Sequence, residues 1–430
     1  MIAGTTGRRE DIDALRVAAT YLLFVFHGAM VFNPAPFYHI RNGDLSLVML
    51  VVCGFIGLWH MPLFFLLAGW ASYASLTVRG RRAYLRERVR KLCVPLVAGV
   101  ILFGPIIKFF ELRSGLDLSY AGLRVAPKLQ DSFRVVIPTG LAAAPPFSES
   151  FFEFLPTFFT HLERFTWAHL WFIAYLFTFS LLYVPLLPWI ARRAARLESG
   201  AAWLVYIPIL PLALIQLMLR ERWPGIQNLY DDWANVAYYT VYFLAGVVIA
   251  SQPQLERRLR QESHRALLVA LATTGVLLLA VLKVFSATWV VLVGSAIAGW
   301  CFNIVILGFG DRVRRACGRA LPYLRDSAFP VYILHQVAIV VPGYFIIQLP
   351  LGIAAKFVFV LLAAITVTLG LYQFVVRPFG AVAFLFGANR SRAASLPLAA
   401  PTVAATVAFL VLSPGALGAS LPATTRENHP

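Results

Sequence analysis

Only 13% of this 430-residue chain is charged, and 20 acidic residues stand against 37 basic ones. So little charge, beside 60% hydrophobic residues and a mean hydropathy of +0.74, excludes a soluble chain, which could not hide that much apolar surface. Cysteine is scarce too. Cys53, Cys93, Cys301 and Cys317 lie in or beside apolar segments and show neither metal-ligand spacing nor a disulfide framework. There is no glycine-rich phosphate loop, no HExxH, no GxSxG in a strand–turn–helix setting and no inverted repeat of the transporter kind. A soluble catalytic domain is missing as well, so any chemistry must occur among membrane helices.

What the chain does have is long apolar runs. Segments able to span a bilayer fall near 14–33, 56–77, 92–111, 167–189, 201–219, 233–250, 266–284, 288–309, 327–348 and 354–376. They predict an all-α, polytopic membrane bundle of about ten helices. An alanine-rich stretch at 394–412, interrupted by Pro397 and Pro401, is a candidate eleventh. Stretch 45–55 reads as an interfacial lead-in or one end of a tilted second helix, which Pro62 can kink. The first apolar run follows charged residues up to Arg16 and ends in nothing like a small-residue cleavage site. It therefore reads as a transmembrane helix and not a removed signal peptide. Residues 1–380 form the expected membrane domain, with 381–430 as a C-terminal tail.

The net charge of +17 does not imply nucleic acid, because its placement has a simpler reason. Basic runs at 79–91, 192–196, 257–265 and 312–325 fall on alternate sides of successive spans. With the N-terminus and 377–392 they put about 25 basic residues on one face. That face is expected to be cytoplasmic, toward anionic lipid and an anionic ligand. The other face carries the long loop 112–166, with Glu149, Glu153 and Glu163, and a short loop with Arg220, Glu221, Arg222, Asp231 and Asp232.

Arg16 and His27 are the most informative pair. Eleven helical steps advance about 16 Å and close three turns to within roughly 20°, so both lie on one face of the first span. An arginine at the membrane edge with a histidine deep on the same face is costly in hydrocarbon and marks a functional site by default. A neutral imidazole suits removal of a proton from a hydroxyl, which makes His27 the candidate general base. His60, His169 and His335 also sit in or beside spans, with His169 expected near the outer surface and His335 about 12 Å from the cytoplasmic edge. Such unequal depths argue against a metal site, and His60 and His169 are expected to hydrogen-bond backbone at kinks and helix ends. At the cytoplasmic edge, a phosphate-rich ligand would meet Arg16, Arg86, Arg88 and Lys91.

These residues fall in a pattern. Asp13-Ala-Leu-Arg16 followed ten residues later by His27 resembles the first helix of the membrane acyltransferase-3 family. Met61-Pro-Leu-Phe-Phe-Leu-Leu-Ala-Gly69 is similar to its second-helix signature. Tyr84-Leu-Arg-Glu-Arg88-Val-Arg-Lys91-Leu-Cys-Val-Pro95 is similar to its basic motif, with Lys91 where arginine is usual. His169-Leu-Trp171-Phe172 and Phe329-Pro-Val-Tyr332-Ile-Leu-His335-Gln336 resemble two further blocks. The likeness runs from about residue 10 to 380, and the branch it most resembles is that of glucan biosynthesis protein C.

The resemblance implies transfer of an acyl group, succinyl or acetyl, from acyl-CoA to a carbohydrate or glucan hydroxyl. It implies no bound cofactor, acyl-CoA as co-substrate, the bacterial inner membrane as location, and cell-envelope glycan machinery as the working partner. His27 is then the catalytic residue, with Arg16, Arg86, Arg88 and Lys91 at the acyl donor. Asp13, His60, His169, Trp171, Tyr332 and His335 would support the pocket. Direct attack on the thioester and a covalent relay both remain open, and a carbohydrate transporter or export channel is the competing class.

Overall fold

The protein is described by a computed structural model over residues 9–35, 38–118, 147–194, 202–225, 227–282, 284 and 287–388. The stretch 394–412 and most of the loop 112–166 lie outside them. The described residues form helices α1 (Glu10–Met30), α2 (Leu47–Arg79), α3 (Arg81–Arg88), α4 (Val94–Arg113), α5 (Phe151–Thr160), α6 (Trp171–Leu182) and α7 (Leu187–Ala194). They continue with α8 (Ile209–Leu219), α9 (Trp233–Ser251), α10 (Pro253–Val281), α11 (Thr288–Gly308) and α12 (Gly310–Cys317). Last come α13 (Leu321–Ile346), α14 (Ile353–Leu371) and α15 (Gly380–Leu385). No strand occurs among them. Among the described residues nine helical stretches are long and apolar enough to cross a membrane, or up to 10 if the bent pair α6 and α7 is one span. The all-α polytopic bundle expected from the apolar runs is the architecture found.

The hydropathy pattern does not reveal the break in that pair. The apolar run 167–189 predicts one straight span, but α6 and α7 are bent by 76°. α6 has only 12 residues, about 18 Å of rise, and cannot cross alone. α2 departs the other way. The lead-in at 45–55 joins the second span in one helix of 33 residues that continues through Pro62.

α1 is the central post, packed against α2, α12, α13 and α14. Its small residues Ala14, Ala19 and Ala29 are buried, which lets neighbouring helices approach closely. At the end where α1 begins, here called the basic end, ion pairs fasten α1 to α10. Arg9 bonds Asp11 at 2.8 Å and Glu256 at 2.6 Å, and Arg260 bonds Asp11 at 2.6 Å and Glu256 at 3.0 Å. The carboxylates beside Arg9 hold its guanidinium, just outside the span, even more firmly protonated than usual.

α2 and α9 meet backbone to backbone. A Cβ on Gly69 would lie 1.8 Å from the carbonyl oxygen of Phe243, and one on Gly246 would lie 2.0 Å from that of Leu66. At the opposite end, α5 opens with a capping box in which Ser150 and Glu153 satisfy each other's backbone N–H groups. It rests on α4 through Phe154 and Phe158, and Gly104 makes room for the Phe158 ring. Below α5, Arg164 bonds Glu149 at 2.7 Å and holds that carboxyl below its ordinary range.

Candidate functional site

α1, α13 and the turn ahead of α6 bring three imidazoles together. The His27 and His335 rings are 5.1 Å apart, and His169 and His335 are 4.9 Å apart. His60 joins at the edge, with Phe26 stacked on it at 6.2 Å. Tyr38 stacks on His27 at 5.6 Å, and Phe24 meets His335 edge-on at 6.2 Å.

This convergence overturns the unequal depths expected for the histidines. α13 begins at Leu321, six residues before the apolar run suggests, so His335 lies 14 steps, about 21 Å, from the start of its helix. His169 is not near the surface either. It sits in a short 3₁₀ turn, Ala168–Leu170, bonded across to the middle of α13. The turn is held in place because the Tyr332 hydroxyl donates to the His169 carbonyl at 2.5 Å. Trp167 Nε1 also donates to the Gln227 carbonyl, at 3.1 Å.

Backbone carbonyls fix the protons on these rings, because a carbonyl can only accept. His335 Nδ1 donates to the Tyr332 carbonyl at 2.6 Å, so Nε2 carries the lone pair. His169 Nε2 donates to the Ile333 carbonyl at 3.1 Å, so Nδ1 carries it. His60 Nε2 donates to the Ala19 carbonyl at 2.7 Å, which makes its visible work a tie between α2 and α1. Three ring nitrogens remain buried without a hydrogen-bond partner: His27 Nδ1, His169 Nδ1 and His335 Nε2. The neighbouring Gln336 Oε1 is in the same state. Unpartnered polar atoms at such depth are expensive in hydrocarbon unless a ligand, a proton or one another uses them. Even so, no group of three or more His, Cys, Asp or Glu among the described residues is placed to hold a metal ion.

The cationic candidates lie apart from the rings. Arg16 pairs with Asp13 at 3.5 Å, and about 16 Å of helix separates it from His27. Tyr21, between them on α1, bonds Ser327 of α13 at 2.9 Å. Arg86 is exposed on α3. The Lys91 charge is taken up by Glu87 at 3.1 Å, which also pairs with Arg79 at 2.6 Å. Arg88 differs. Its guanidinium lies 4.7 Å over the Tyr84 ring, its Nε is buried without a partner, and no carboxylate among the described residues is within ion-pair reach. A π-helical turn, Val89–Cys93, follows it directly, a distortion that recurs at functional sites. Trp171 is part of an aromatic wall with Tyr175 at 5.4 Å and Tyr239 at 5.7 Å.

Two polar groupings escape a reading of the sequence. One is a buried cluster in which Glu111 bonds His39 at 2.5 Å and Lys108 at 2.5 Å, while Lys108 also bonds Asp117 at 2.6 Å. Lys108 and Glu111, two charges within the apolar run 92–111, were the available signal. The other is a cavity of about 240 Å³ lined by residues that include Gln216, Arg220, Asn235, Tyr238, Tyr239 and Ser295. Arg220 there donates to Gln216 at 2.8 Å and to Asn235 at 2.9 Å, so neutral amides orient its guanidinium. Their scattered positions in sequence gave no warning of the cavity.

A family model described as an acyltransferase domain, Acyl_transf_3, matches residues 9–373. That range includes every histidine of the centre and the basic turn at Arg88. Neither a curated protein nor a solved structure matches the chain.

Proposed function

The chain belongs to the acyltransferase family defined by that domain and is a membrane acyltransferase; on this premise we propose that it moves a succinyl or acetyl group from acyl-CoA to a carbohydrate hydroxyl. The glucan branch is the favoured acceptor class, and the bacterial cytoplasmic membrane, with the N-terminus inside, is the favoured location. The observation that carries the proposal is the His27 imidazole, half-buried on α1 with Nδ1 unpartnered, beside two rings that each keep an unpartnered lone pair.

In the direct form of the reaction, His27 accepts the proton of the acceptor hydroxyl as its oxygen attacks the thioester carbonyl. The carbon–sulfur bond then breaks, and the imidazolium returns the proton to the departing thiolate. The donor enters from the basic end, where no carboxylate among the described residues competes with a phosphate for the Arg88 guanidinium. The acceptor comes from the opposite end. The cavity at Arg220, with its amides, tyrosines and Ser295, supports a hydroxyl-rich ligand on that side.

Purified protein with acyl-CoA should release free thiol only when a carbohydrate acceptor is added, and the acyl group should appear on the acceptor. Oriented vesicles with an impermeant glucan test sidedness. Acylation only of glucan on the side of the basic end refutes transfer across the membrane, and absence of acceptor-dependent thiol release over a donor panel refutes the donor assignment. Acyl-labelled protein trapped without acceptor would replace direct attack by a covalent relay.

A further inference from the structure

We propose that His335 is the positioning residue for His27: its Nε2 accepts the Nδ1–H of His27 and so turns the Nε2 lone pair of His27 toward the substrate. The inference deepens the reading of His27 as the base and rests on that reading for its catalytic consequence.

The argument begins with two buried atoms that lack partners and are complementary. His335 Nδ1 is committed to the Tyr332 carbonyl, so its Nε2 can only accept. Nδ1 of His27 is buried and unbonded and, as an N–H, would donate. A bond between them relieves both, since a buried polar atom left unsatisfied loses its hydration with nothing in return. The spacing agrees. A hydrogen bond of about 2.9 Å, with about 1.1 Å from each nitrogen to its ring centre, spans about 5.1 Å. The rings stand 5.1 Å apart with a 39° tilt and the two nitrogens unbonded, so a rotation of the side chains that turns the nitrogens to face each other makes the bond without moving the helices.

Other neighbours of His27 fit the role less well. Tyr38 is stacked over the imidazole face, outside the plane in which an N–H points. Phe26 has no acceptor. His169 keeps a bare Nδ1, but its ring contacts are with Tyr332 and His335. His335 itself is rigid, held by its carbonyl bond and by Phe24 edge-on. A base oriented by a fixed third group is the general logic of an activated hydroxyl, and here a neutral imidazole takes the place usually filled by a carboxylate. Proton bookkeeping stays closed: Nδ1–H of His27 is never lost, and the catalytic proton enters and leaves at Nε2.

The test reads the tautomer itself. The intact protein, ¹⁵N-labelled at histidine and held in lipid nanodiscs, gives a His27 signal identified by its loss in H27Q. Wild type should show His27 protonated at Nδ1, and H335L should move it to the Nε2–H form or a mixture. H335Q, whose amide oxygen can accept, should restore the wild-type tautomer. In acyl transfer, H335L should lower kcat by about 10²-fold with little change in the donor KM, and H335Q should recover part of that loss. A wild-type His27 protonated at Nε2, or a tautomer unchanged in both variants, overturns the proposal. If H335L fails to fold, the wild-type tautomer and H335Q decide it. The correct tautomer in a protein with no transferase activity would instead sink the proposed function and leave the hydrogen bond standing.

Discussion

Lys108 and His335 are both fully buried in the same bundle, yet their polar atoms are treated differently. Lys108 has two carboxylate partners, Glu111 and Asp117, and Glu111 in turn accepts from His39 and from the backbone N–H of Leu118. His335 keeps one nitrogen bonded and one bare, and its neighbours His27 and His169 each keep one bare nitrogen. A network whose charged groups are bonded to one another resists rearrangement, because removing any member strands another. A centre with unused lone pairs is poised to take a proton or a ligand donor. The first pattern suits holding the opposite end together, the second the chemistry proposed for His27.

The largest expected effect lies at the unsatisfied centre. His27→Ala should cut acyl transfer by about 10²–10⁴ while leaving insertion and thermal unfolding near wild type. Near-normal turnover would make His27 structural and erase the contrast. The satisfied cluster should answer in the opposite way. Lys108→Met should lower stability by about 3–5 kcal/mol in thermal or denaturant unfolding, with kcat of the remaining folded protein little changed. A fall in kcat without loss of stability would bring the cluster into the reaction.

Arg88 tests whether the basic end holds a second site of the reactive kind. Arg88→Ala removes a charge-assisted contact worth about 1.5–3 kcal/mol, so the donor KM should rise by one to two decades while topology is preserved by the other basic residues of the run. An unchanged KM across a CoA titration removes Arg88 from the donor site. The smallest effect is expected at the α5 cap. Ser150→Ala should cost about 1 kcal/mol of local stability, read as faster hydrogen exchange in α5 with the bundle core unaffected.

Much of this was legible in the sequence where periodicity and composition carry the information. The all-α bundle followed from the apolar runs, and the shared face of Arg16 and His27 followed from helical geometry. The meeting of His27, His169 and His335 did not, for two separable reasons. Hydropathy marks where a chain is apolar, not where its helix begins, so α13 was started too late and His335 placed too shallow. The run 167–189 is apolar on both sides of its break, so neither the 76° bend nor the inward turn at His169 shows in composition. Lys108 and Glu111 were visible as charges in an apolar run, but their partner His39 comes from 72 residues away.

The paired glycines between α2 and α9 have a mechanical consequence. Side chains can roll past one another by changing rotamers, whereas a peptide carbonyl seated against a bare Cα has no such freedom. Leu66 and Phe243 each place a carbonyl where the other helix has only hydrogen, so the two helices are mortised and turn as one piece. Whatever parting of helices the proposed reaction requires must therefore occur at other seams. Those include the seam between α1 and α13, which the side chains of Tyr21 and Ser327 bridge and where the imidazoles stand.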